Sequence, residues 1–337
     1  MKKISVLLFL VFIQLILVSS AYTADNASTT LAQMDQAEII IYGESRRGGL
    51  IDRLNELERV LFGRSLPGTL SERQLQLVNF IKTGNADQPS LLFKLGVAEW
   101  TVAQSIQPFL PALGRLQRLE QELDDTIQEG RPIAMRVERI LSLLLTDIVT
   151  QVEIEVSSDK AIRAKILEDI GPGKSRKGDS VKIELVEDFV MDNYLIAPKG
   201  SRIVSEIAGV TRPGAFGRAG EVRLEFKYLQ ILGPEEPMVK LADAKRLGGT
   251  GEKNIVAAVG SSMIGAALLG PLGLATGLLI RGDSLDVNAE TQFYVQQAEA
   301  AKMSVFPIPG SLRKDTDSPS NNTDSDGSDE IIFIDTP

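Results

Sequence analysis

The chain has 337 residues, with 36 Lys and Arg against 45 Asp and Glu and a formal net charge of -9. It contains no His and no Cys, which excludes imidazole acid–base catalysis, a Ser-His-Asp triad, thiol nucleophiles, disulfides and thiolate-held zinc or iron–sulfur centres. Hydrophobic residues make up 43%, enough for packed cores in two domains, and the acidic balance runs against binding nucleic acid, whose affinity rests on Lys and Arg.

The N-terminus reads as an address. Lys2 and Lys3 precede an apolar run from Ile4 to Val18, and small residues follow through Ala21 and Ala24. This pattern predicts a secretory signal peptide over 1–24, cut after Ala21 or Ala24. The rival reading is an uncleaved membrane anchor, for which the run is short. The expected location is outside the cytoplasm, in the periplasm or cell envelope of a bacterium.

Residues 30–147 read as a helical domain with internal repeats. Leu50, Leu54, Leu57 and Leu61 have the spacing of one helical face, and Gly63 breaks it. Thr69 and Glu72 have capping-box spacing before Leu75, Val78 and Ile81. Tyr42-Gly43-Glu44-Ser45 with Arg53 matches Phe62-Gly63-Arg64-Ser65 with Arg73. A longer match relates Arg53, Leu57, Glu58, Gly68 and Arg73 to Arg115, Leu119, Glu120, Gly130 and Arg136. The unit is helix, glycine turn, helix, and each unit needs neighbours to close a core. The recurring arginines are read as structural. Between the copies, Trp100 is read as a core anchor and Glu99 as a surface acid beside it.

Near Thr150 the period changes. Val152, Ile154 and Val156 alternate with polar residues, as in a strand with one wet face. Further strands are expected over 180–186, 194–197, 202–209, 221–232 and 238–241, with a last one over 285–297. Gly-Pro and Lys-Gly turns separate them. These segments predict a small antiparallel β-barrel-like domain over 148–309, making the fold class α+β. Ile255 to Ile280 carries no charge and contains Gly260, Gly265, Gly270, Gly273 and Gly277, with Pro271 near its middle. We read it as a Gly-rich helical hairpin inserted in the barrel domain. Three readings of it stand side by side: core packing on the barrel, contact with membrane or partner subunits through the five glycines and Pro271, or one kinked span. Residues 310–337 read as a disordered acidic tail. Its apolar end, Ile331 to Ile334, has the character of a strand that docks on an exposed edge.

Gly178-Asp179-x-Val181, Pro198-Lys199-Gly200-Ser201 and Phe216-Gly217-Arg218-x-Gly220-Glu221, followed by a glycine-rich apolar hairpin, resemble uncharacterised exported envelope proteins of diderm bacteria. Over 150–297 the pattern is also similar to the β-barrel of the outer-membrane channel subunit of type IV secretion and conjugation systems. That second resemblance implies a helical hairpin that projects from a barrel and lines a membrane pore. The helical repeats lie outside it.

Few motifs carry chemistry. Arg212 and Arg218, beside Gly214 and Gly217, form a candidate anion-binding turn, with a hairpin tip as the plainer reading. Arg281-Gly282-Asp283 reads as a turn leaving the hairpin. Gly248 to Asn254 fails as a phosphate loop, since its Lys follows no Gly. Asn322 to Gly327 covers only half a calcium loop. The acid pairs Glu187-Asp188 and Glu235-Glu236 adjoin turns. No catalytic residue, metal ligand or cofactor is assigned. The expected function is a non-catalytic exported envelope protein acting in binding or assembly, with envelope proteins or its own copies as partners. The alternative is a carboxylate-dependent hydrolase of envelope glycans, which needs two acids converging across a cleft.

Overall fold

The computed structural model describes residues 30–212, 214, 220–242, 277–282 and 287–313. Among them are six α-helices: α1 (30–42), α2 (Leu50–Phe62), α3 (Leu70–Val78), α4 (Leu91–Ala103), α5 (Ala112–Asp124) and α6 (Ile133–Leu144). Eleven strands follow: β1 (Val152–Val156), β2 (Ala161–Ile166), β3 (Ile183–Leu185), β4 (Phe189–Met191), β5 (Tyr194–Ala197), β6 (Arg202–Thr211), β7 (Gly220–Leu229), β8 (Val239–Leu241), β9 (Gly277–Gly282), β10 (Gln292–Gln297) and β11 (Ala301–Pro307). The chain is thus α+β, with its helices first and its strands after.

Each helix forms for a local reason. On α2, Leu54, Leu57 and Leu61 are buried, and Gly63 ends the helix in the left-handed region, its N–H donating to the Arg59 carbonyl. On α3 both halves of the capping box are made: the Thr69 N–H donates to Glu72 Oε2 at 2.8 Å and the Glu72 N–H to Thr69 Oγ1 at 3.4 Å. Helix α3 runs on into a π-helical turn, Asn79–Thr83. Helix α4 opens at Ser90, which accepts from the Phe93 N–H. It is apolar nearly all round, with Leu91, Phe93, Leu95, Val97, Ala98 and Trp100 all buried, and so sits at the centre of the helical group.

All strand pairs are antiparallel and fall into two sheets. A seven-stranded sheet has the order β8-β10-β2-β3-β6-β7-β9. It curls almost into a barrel, because β7 reaches back to β8 through a Tyr228–Met238 bridge and a bond from the Leu229 N–H to the Pro237 carbonyl. A four-stranded sheet, β1-β11-β5-β4, stands beside it. Val152, Ile154 and Val156 lie in β1 as expected from their alternation, and β5 has the expected bounds. Strands β2 and β4 were not foreseen. Nor was β11, which follows an expected last strand that shrinks to Gln292–Gln297 and holds β1 and β5 together.

Gly277 to Ile280, assigned from sequence to the helical hairpin, are instead the start of β9, paired with β7 from Glu225 to Val222. Leu278, Leu279 and Ile280 are β-compatible residues beside an open strand edge, and ladder bonds along β7 outweigh their weak helical pattern. The remainder of the hairpin lies outside the described residues. Arg281-Gly282 likewise belongs to β9, not to a turn. No helix among the described residues is long and apolar enough to cross a membrane.

Two apolar cores result. One fills the barrel, with Ile162, Ile183, Ile203, Leu224, Phe226 and Val295 among its members. The other lies among the helices but also takes in Leu195, Leu232, Phe306 and Ile308 from the strand half. The change of period at residue 150 therefore does not mark a gap in packing.

Candidate functional site

Charge is used in two ways in this molecule, and the first concerns the helices. Arg53 grips Glu38 side-on, Nε to Oε1 at 2.9 Å and Nη2 to Oε2 at 2.6 Å. Arg73 holds Glu58 at 2.9 and 2.6 Å, and Arg136 holds Glu120 at 2.8 and 2.6 Å, in the same manner. Arg115 holds Glu99 through Nε at 3.0 Å and Nη2 at 2.5 Å. Each carboxylate precedes its arginine by 15 or 16 residues, one helix earlier. Three of the four also accept a backbone N–H eight residues on, from Arg46, Leu66 and Gln128. Glu99 is therefore a buried acid and not a surface one, because Arg115 neutralises it and Nε and Nη2 satisfy both its oxygens. The Arg53 guanidinium is held well above its ordinary pKa, and the Arg73 guanidinium above its own, chiefly by hydrogen bonds to Glu38 and Glu58.

The second use is where helices meet strands. The Trp100 indole N–H donates to Asp188 Oδ2 at 3.0 Å, while Asp188 Oδ1 accepts the Lys199 N–H at 2.7 Å. The Ile106 N–H donates to the Lys199 carbonyl at 2.9 Å. Gly200 makes this contact possible. Its φ is +87°, and a Cβ there would lie 2.3 Å from the Ile106 carbonyl oxygen. The turn Pro198-Lys199-Gly200-Ser201 is thus the joint between the two halves.

Beside the joint opens a cleft of about 530 Å³. Helix α1 and the Ile106–Pro111 loop form one wall, and the start of β6 with the 230–236 segment forms the other. Ile39 and Leu110 line it while 50% and 41% exposed, leaving apolar surface uncovered. Its cations are Lys82, Lys182 and Arg202, none of which has an ion-pair partner among the described residues, together with Arg115, which Glu99 holds. The Arg202 guanidinium lies 5.5 Å from the Phe109 ring centroid, Nη2 donates to Ser180 Oγ at 3.4 Å, and Nε is buried without a hydrogen-bond partner. Two acids also line the cleft. Glu235 is committed, accepting the Ser304 N–H at 3.0 Å and hydroxyl at 2.8 Å. Glu236 lies close to the Tyr228 hydroxyl, whose pKa is raised first by burial and then by this carboxylate's charge. The cleft is a basic and apolar place on an acidic chain.

The sequence-derived sites do not assemble here. Arg212 is exposed just beyond β6 and Arg218 lies outside the described residues. Gly260, Gly265, Gly270, Pro271 and Gly273 are also outside them, as are Asn322 to Gly327 and Gly248 to Asn254. The acid pairs serve structure. Glu187 takes the Arg163 backbone and guanidinium, and Asp188 takes Trp100 and Lys199. Among the described residues no group of three or more Asp or Glu could hold a metal ion. No spacing in the sequence links Lys82, Phe109, Lys182 and Arg202; the packing of helices against strands, at Gly200 and through Leu232 and Phe306, brings them near one another. No family model, curated protein or solved structure matches the chain.

Proposed function

We propose that this chain is a non-catalytic exported protein of a bacterial cell envelope that acts in binding or assembly. The observation that carries the reading is the open cleft, whose uncovered apolar rim and cations without ion-pair partners among the described residues suit a partner surface, while the nearby acid pairs are engaged in structural bonds. The signal-like segment over 1–24 supports export. We read α1–α3 and α4–α6 as two copies of a three-helix repeat, a reading supported by the four matched Arg–Glu pairs. The Gly-rich segment before β9 supplies a second contact element, toward membrane or partner subunits, through Gly260, Gly265, Gly270 and Gly273.

Fractionation of the native cell followed by crosslinking tests this. The expected result is a processed chain in the envelope fraction with crosslinked adducts that a Gly265→Leu and Gly273→Leu double variant loses. An unprocessed chain in the cytoplasmic fraction, or a processed chain with no adduct, overturns it.

A further inference from the structure

We propose that the cleft between helices and barrel is the docking site of the chain's own C-terminal segment, residues 315–335. The proposal names the occupant of the site described above and rests on the reading of that cleft as a binding surface. Three observations converge on this occupant. The first is chemistry. The cleft offers Lys82, Lys182 and Arg202 without ion-pair partners among the described residues, beside an apolar rim of Ile39, Phe109 and Leu110. The segment has the complementary order: Asp324, Asp326, Asp329 and Glu330 followed at once by Ile331-Ile332-Phe333-Ile334. Acids facing Lys182 and Arg202 place the apolar end toward the rim. Glu236 is the opposing charge in the cleft and is turned to Tyr228, whereas Glu235 is held by Ser304.

The second observation is where the described chain ends. Glu235, on the cleft wall, is bonded to Ser304 of β11, and the same strand leads through the Gly310–Leu312 turn to Arg313. Strand β11 is thus tied to the cleft wall at Ser304, and the described chain ends at Arg313, beyond the same strand. The third is reach. From Arg313 to Ile331 an extended chain spans roughly 60 Å, more than a small domain's width. A tether of this kind holds its end at roughly millimolar effective concentration, so a weak intrinsic affinity is enough to keep the cleft occupied. A docked tail covers the apolar rim and competes with any external partner.

The absence of cysteine makes the test direct. In the full mature chain, Ser328→Cys introduces a single thiol for a nitroxide label, and paramagnetic broadening is read on backbone amides. The expected result is a loss of at least half the signal intensity at Ile39, Leu110 and Ile231, with little change at Thr211, at the far end of β6 from Arg202. Neutralising the segment by Asp324→Asn, Asp326→Asn, Asp329→Asn and Glu330→Gln leaves the folded part untouched and should restore those signals. Lys182→Glu with Arg202→Glu should restore them too, provided amide dispersion elsewhere is kept. Cleft signals unaffected by the label, or affected equally with and without the acids, overturn the proposal. Broadening seen only when labelled and isotope-enriched copies are mixed also overturns it, since the occupant is then a second copy. A negative result here leaves the envelope reading standing, because crosslinking in cells tests that separately.

Discussion

The helices and the strands handle charge in opposite ways. Between α1 and α6 the principal ion pairs are internal: Glu58 and Glu120 are 0% and 1% exposed, and each arginine closes on its carboxylate with two bonds. Around the strands the pairs lie on the surface, as in Arg163–Glu187, Lys227–Glu206 and Lys302–Glu153, and the charged side chains buried among the described residues all lie in the helices. A curled sheet shields one continuous apolar face, so it needs no buried charge. A stack of short helices joined by tight turns leaves carbonyls and N–H groups at every helix end. A carboxylate there accepts a turn N–H, and an arginine from the next helix neutralises it, fixing how successive helices are spaced.

That contrast can be broken most severely at Glu120. Glu120→Ala leaves the Arg136 guanidinium buried and unpaired and should cost about 3–5 kcal/mol, read by urea unfolding. Glu120→Met together with Arg136→Leu should cost far less, or nothing, since the desolvation of both charges disappears with them. A double variant as damaged as the single one would mean that the pair is not the source of the loss. Next comes the joint. Gly200→Ala meets both a positive φ and the Ile106 carbonyl, and should cost about 3 kcal/mol, while Gly178→Ala has similar φ but open space and should cost about 1 kcal/mol. Equal losses would show that backbone strain alone matters at residue 200.

Smaller effects follow at the surface. Thr69→Ala removes the α3 cap and should cost ~1 kcal/mol by thermal unfolding. The Glu72 carboxyl is held below its ordinary pKa, first by the Thr69 N–H and then by its hydroxyl. Its contribution is therefore present above the carboxylate's unfolded pKa and fades as pH falls through the lower folded value. Thr69→Ala should weaken that acid-side dependence, and an unchanged pH profile would dissociate Glu72 from the cap. Smallest of all, Lys302→Ala should leave the unfolding midpoint unmoved within error, because both it and its partner Glu153 are largely exposed.

The helices were legible because their signals are local. Leu54, Leu57 and Leu61 recur at helical spacing, and Thr69 with Glu72 carries its own cap. The matched arginines are visible as a repeat, but their partners are not: Glu99 reads as a surface acid because nothing near it in sequence reveals Arg115 folding back upon it. Among the strands, alternation marked β1 and turns bounded β5, whereas β2, β4 and β11 passed unseen. Three-residue β4 is too short to show a period, and β11 is defined by its neighbours β1 and β5.

What the amino-acid sequence determined by itself was the order of helices then strands, the capping of α3, the recurrence of Arg53, Arg73, Arg115 and Arg136, and the exclusion of thiol and imidazole chemistry. These depend on residues within a turn or two of each other, or on composition. Only the tertiary structure decided which carboxylate each arginine meets, that the strands divide into two sheets, that Gly277 begins a strand, and that Lys82, Phe109, Lys182 and Arg202 line one cleft. Those outcomes rest on contacts between distant segments, brought together where Gly200 lets the Ile106 carbonyl approach and Asp188 ties Trp100 to Lys199.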